Sequence, residues 1–126
     1  MKRVAVLAPS EKAGLDPERL DALFVRMGPV AGEDAVCRAM EELAYNLGRA
    51  DRLHVAGDLE NMLSCTQALG RIADEIGMWK LHRVAEDVAQ CIQDGDGVAV
   101  AATLARMARV GERSLYAVWD LQDLSV

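Results

Sequence analysis

The stretch Asp58-Leu59-Glu60-Asn61-Met62-Leu63-Ser64-Cys65-Thr66-Gln67-Ala68-Leu69-Gly70-Arg71-Ile72-Ala73-Asp74-Glu75-Ile76-Gly77-Met78 decides how this chain is read. Leu59, Met62, Leu63, Thr66, Leu69, Ala73 and Ile76 recur at helical spacing and form one apolar stripe. Glu60, Ser64, Gln67, Arg71, Asp74 and Glu75 form a polar stripe opposite. Asp58 stands where a helix N-cap belongs, and Gly77 where a helix stops. The stretch therefore predicts one amphipathic helix with a buried face and a solvated face.

Working outward, the same pattern recurs. Towards the N-terminus, Pro29 or Glu33 to Leu53 carries an apolar face of Val36, Met40, Leu43, Ala44 and Leu47. Acidic Glu33 and Asp34 come first and basic Arg49 and Arg52 last, an order that suits the helix dipole. Before it, Asp16-Pro17 pairs an N-cap with a proline at the first helical position. Leu20, Leu23, Phe24 and Met27 follow at helical spacing, and Gly28-Pro29 ends that short segment. Towards the C-terminus, Leu81, Val84, Ala85, Val88 and Ile92 lead to a stop at Asp94-Gly95. A last segment opens near Asp96, carries Val100, Leu104, Met107, Ala108, Leu115 and Val118, and is predicted to reach Trp119 or Leu121. No segment alternates with period two. The expected fold is all-α: an antiparallel four-helix up-and-down bundle, with the short N-terminal helix capping one end.

The chain has 126 residues, room for one domain, here placed at 15–126 behind an N-terminal arm at 1–14. Hydrophobic residues make up 52% and charged residues 27%, a composition that folds. Twenty acidic against 14 basic residues leave a net charge of −6. That balance argues against a nucleic-acid surface, which needs a basic stripe, and against an anionic membrane. The arm has only a short apolar run, Val4 to Ala8, shorter than a signal peptide or a membrane helix requires. It is expected to be extended or docked as a short strand-like piece. Cys37, Cys65 and Cys91 are odd in number and widely spaced, which suits reduced thiols in a cytoplasmic protein rather than a disulfide framework.

Catalytic and metal chemistry is sparse. The only histidines are His54 and His82. His54, before Gly57, is expected to meet the last carbonyls of its helix, and His82 to be an exposed helix residue beside the apolar stripe. Their acidic neighbours at four residues, Asp58 and Glu86, do not make a metal cluster. Gly95-Asp96-Gly97 lacks the lysine and spacing of a phosphate loop and reads as a turn. Met27, Met40, Met62, Met78 and Met107 read as core filler. No metal or cofactor site and no enzyme activity is expected.

The order of signals does resemble one family. Leu15-Asp16-Pro17-Glu18-Arg19-Leu20, then Gly57-Asp58, then Leu63 to Met78, then Leu81-His82-Arg83-Val84-Ala85 and Gly95-Asp96 together resemble the histidine-containing phosphotransfer (HPt) domain of multistep phosphorelays. The resemblance runs from about Leu15 to Trp119. The family's second long helix carries a signature like A-H-x-L-K-G-x-A-x-x-I/L-G. Anchored on Leu69 and Ile76-Gly77, it sets Thr66 at the small residue before the histidine, and Leu69 and Ala73 at apolar positions. The phosphorylatable histidine then falls on Gln67, the usual lysine on Gly70 and the usual glycine on Arg71. A glutamine amide nitrogen is a poor nucleophile because its lone pair is delocalised into the carbonyl.

The resemblance thus implies a phosphorelay-type interaction domain without its phosphate-accepting histidine, docking on a response-regulator receiver domain or a histidine kinase. Gln67 lies at the flank of its helix, about 110° from the centre of the apolar stripe, and shares a face with Ser64 and Arg71. Ser64, Gln67, Gly70, Arg71 and Asp74 are the expected partner-binding residues. Two alternatives stand beside this reading: a homodimerisation or adaptor module that reuses the bundle, and an active phosphocarrier using His54 or His82.

Overall fold

The computed structural model describes residues 14–124, with the backbone alone for 122–124. The expectation for the arm falls on residues 1–13, outside the described residues. Five helices follow in order: α1 (Pro17–Met27), α2 (Pro29–Ala56), α3 (Leu59–Glu75), α4 (Trp79–Asp94) and α5 (Gly97–Leu124). Among the described residues, extended pairing is limited to one isolated antiparallel bridge between Leu15 and Met78.

Local chemistry sets the boundaries. Asp16 caps α1 by accepting the Glu18 amide at 3.1 Å, and Pro17 opens the helix. Asp96 caps α5 by accepting the Ala99 amide at 3.1 Å. Asp58 caps α3 through both carboxylate oxygens: one accepts the Asn61 backbone amide at 3.2 Å, the other the Asn61 side-chain amide at 2.7 Å. α2 continues past the expected Leu53 to Ala56, where Gly57 turns left-handed at φ 73°. There the Gly57 amide donates to the His54 carbonyl and the Asp58 amide to the Leu53 carbonyl. Backbone amides therefore close this helix end, and the expected cap by the His54 imidazole is not made. α5 also runs further than expected, to Leu124.

α3 packs on α2 and on α4, α4 on α5, and α5 back on α2, while α1 lies against α2. Leu43, Met62, Leu69, Met78, Leu81 and Met107 are among the fully buried side chains at the centre. Most of the expected α3 stripe is buried, but Leu59, in its first turn, is 45% exposed. In α2 the buried positions are Gly32, Val36, Leu43 and Ala50, whereas the expected Ala44 faces out. Met62, Met78 and Met107 are buried as expected; Met27 is 40% exposed.

Two glycines permit close approach. The Asp16 amide donates to the Gly77 carbonyl at 2.8 Å, and Gly77 has φ 77°. A Cβ there would stand 2.8 Å from the Asp16 carbonyl oxygen and 2.9 Å from Arg19 Cβ, so only glycine fits. Gly111 on α5 plays the same part against α2, since a Cβ would meet Leu47 at 2.7 Å. Arg19 also donates to the Asp74 carbonyl at 2.7 Å and lies 3.6 Å from the Asp74 carboxylate. Both side chains of that ion pair are about half exposed, so it contributes about 0–1 kcal/mol. Burying Leu20 and Leu23 contributes about 1.5–3 kcal/mol each, so apolar burial holds α1 in place.

The two Asn61 hydrogen bonds, side chain first and backbone second, hold the Asp58 carboxyl below the usual carboxylate range. A depressed folded pKa adds stability above the unfolded value and loses it as the pH falls through the folded one. Asp58→Ala is therefore expected to lower the melting temperature at neutral pH. In thermal melts across the acid range, its difference from wild type narrows with falling pH; a constant difference would remove the charged cap from this account.

Candidate functional site

α3 and α4 leave an open groove of about 470 Å³ between their exposed flanks. Gln67, Gly70 and Arg71 line it from α3, and His82, Glu86 and Gln90 are among its α4 residues. The groove is shaped by small residues below and long polar ones above. Gly70, Ala85 and Ala89 are buried at its base, while Gln67, Arg71, Glu86 and Gln90 are exposed at its rim. Thr66, also in the lining, is fully buried and donates to the Met62 carbonyl at 2.7 Å, so its hydroxyl is already used.

His82 is not the free surface residue expected of it. Its Nδ1 lies 2.9 Å from the Gly70 carbonyl oxygen, across the α3/α4 interface. Its Nε2 lies 2.9 Å from Glu86 Oε1, one turn along α4. The ring is about one-third exposed, so one edge is packed and the other is wet. A carbonyl and a carboxylate are both acceptors, so both contacts are hydrogen bonds at once only when each ring nitrogen carries a hydrogen.

The five expected binding residues are not all brought together. Gln67, Gly70 and Arg71 share the groove. Gly70 contributes its backbone there, because it is buried beneath the His82 ring rather than exposed. Ser64 lies outside the groove lining, with its hydroxyl 3.4 Å from the Glu60 carbonyl. Asp74 is turned to α1, where Arg19 engages both its carbonyl and its carboxylate. His82 and Glu86 are the residues sequence reasoning missed. Their four-residue spacing was visible, but the Gly70 contact depends on how α3 and α4 register.

A second groove, of about 450 Å³, lies between α2 and α5 and is mostly apolar. Met40, Leu115, Tyr116 and Trp119 line it, with Glu41 and Glu112 at its edges. The cysteines are free: Cys37 is exposed, Cys65 buried and Cys91 intermediate. Burial pushes the Cys65 thiol up from its ordinary range, and its Sγ lies 3.4 Å from the Asn46 carbonyl oxygen. Among the described residues, no group of three or more His, Cys, Asp and Glu side chains could hold a metal ion. None of the described helices is long and apolar enough to cross a membrane.

Comparison of the chain with protein-family models, with curated proteins and with solved structures finds no match in any of the three.

Gly70 gives a direct check on the groove's base. A Cβ there would lie 3.5 Å from Ala85 Cβ and 3.7 Å from His82 Nδ1, which is ordinary contact. Gly70→Ala is expected to raise stability by about 0.5–1 kcal/mol, the usual gain in a helix interior. Chemical denaturation would measure it, and a loss of stability would mean that α3 and α4 lie closer than described here.

Proposed function

We propose that this chain is a phosphorelay-type interaction domain of HPt-like architecture, in which α2 to α5 form an antiparallel four-helix up-and-down bundle. It docks on a receiver domain or a histidine kinase through the α3/α4 groove and passes on no phosphoryl group. The observation that carries this reading is that Gln67, Gly70 and Arg71 lie together on an open groove. These are the positions where the HPt resemblance puts its histidine, lysine and glycine. Among the described residues Arg71 makes no ion pair, which leaves its guanidinium free to meet an acidic partner. A guanidinium and a side-chain amide offer N–H donors to a phosphoaspartate or to the acidic pocket around one. Glutamine at 67 supplies a donor but no nucleophile.

The test is a binding titration against receiver domains, with and without beryllofluoride as phosphate mimic. One receiver is expected to bind, with preference for the beryllofluoride form. Arg71→Glu is expected to weaken that binding about tenfold or more, as loss of a charge-assisted contact does. No binding to any receiver or kinase would overturn the reading. Acid-labile phosphate on the chain after exposure to a phosphorylated receiver would overturn its non-transfer part.

The apolar α2/α5 groove favours a second reading, a homodimerisation module. Tyr116 and Trp119, at 63% and 57% exposure, are large aromatic surfaces left open there. Sedimentation equilibrium decides it: a mass that doubles with concentration, and fails to do so in Trp119→Asp, would support the dimer; a monomer throughout would exclude it.

A further inference from the structure

Glu86 places a carboxylate on Nε2 of His82, and both residues line the groove. The other nitrogen is committed to the Gly70 carbonyl. The Glu86 side chain is 65% exposed, and among the described residues its one side-chain contact is the turn-to-turn contact with His82. Arg71 lines the same groove from α3. The ionisable side chains lining this groove are His82 and Glu86 from α4 and Arg71 from α3, and Gln67 and Gly70 line it from α3 as well. α5, the other helix packed on α4, contributes no residue to the lining.

We propose that the α3/α4 groove is a binding site for a phosphoryl group, with His82 Nε2–H as a donor that Glu86 covers in the free protein. The ligand's oxygens replace the Glu86 carboxylate at Nε2, and the Arg71 guanidinium and the Gln67 amide supply the other hydrogen bonds. A phosphoryl group suits the set better than a carboxylate does, because three separate donors meet three terminal oxygens. Glu86 thus makes the protein its own competitor. This inference names the anion recognised by the docking face and rests on that reading for its partner, though not for its chemistry.

The experiment follows the ring signals of the two histidines by NMR in the full chain, with inorganic phosphate as probe and acetate as comparison. The His82 signals are assigned by their loss in His82→Gln, and His54 serves as the internal control. Phosphate is expected to shift the His82 signals saturably and leave His54 unmoved, with acetate weaker. Glu86→Ala is expected to tighten phosphate binding about tenfold, the effect of removing one charge-assisted competitor. An unmoved His82, equal shifts at both histidines, equal affinity for acetate, or no change in Glu86→Ala would each overturn the proposal. The two readings fail separately. Phosphate recognition without any receiver binding would sink the docking function alone. Receiver binding indifferent to His82→Ala would sink this inference alone.

Discussion

The structure depends on α3 being buried from both sides at once. Met62, Cys65, Leu69 and Ala73 leave almost no surface to solvent, and α2 and α4 both pack on the same seventeen-residue helix. A helix with so wide a buried face cannot be satisfied by one neighbour, because a helix pair covers only a stripe. Truncating a fully buried leucine in such a place typically costs about 2–5 kcal/mol, a large share of the stability of a small domain. What remains of α3 for function is the narrow polar flank that neither neighbour covers, and Gln67 and Arg71 stand there.

The character of the groove follows from the packing beneath it. Where Gly70 and Ala85 meet, neither residue has a side chain long enough to hold the helices apart. The backbones approach, and the Gly70 carbonyl comes within reach of an imidazole on the next helix. Close packing at the base thus produces a polar site at the rim. Similar logic fixes α1 at the C-terminal end of α3, where Gly77 admits Asp16 and Arg19 claims Asp74. The polar face of α3 is consequently divided along its length, closed by α1 at Asp74 and open to the groove at Gln67 and Arg71.

Features carried by neighbours in the chain were legible in the sequence. Asp16-Pro17 and Gly28-Pro29 bracket α1 as read, and the apolar spacing of α3 and α4 marks most of their buried faces but misses Cys65, Gly70 and Ala89. Features created by contact between helices were not. His82 sits beside its own helix's apolar stripe, and only the register of α4 on α3 converts it from a surface residue to one that bridges two elements. Asp74 belonged to a plausible polar stripe until α1 folded over it. Gly70 was counted among the binding residues because the HPt resemblance sets its lysine there, and periodicity could not correct this, since a glycine has no side chain to assign to a face. The end of α2 was missed by three residues, since the local sequence could not say whether imidazole or glycine would meet the final carbonyls.

The distribution of aromatic residues has an experimental consequence. The core is built from aliphatic and sulfur-containing side chains, and the single phenylalanine, Phe24, is only partly buried. Trp79 and Trp119 are 43% and 57% exposed, and Tyr45 and Tyr116 more so. The indoles and phenols thus already meet solvent in the folded chain, and loss of helix is the more direct signal of unfolding. The same indicators are left free to respond when another molecule covers the surface.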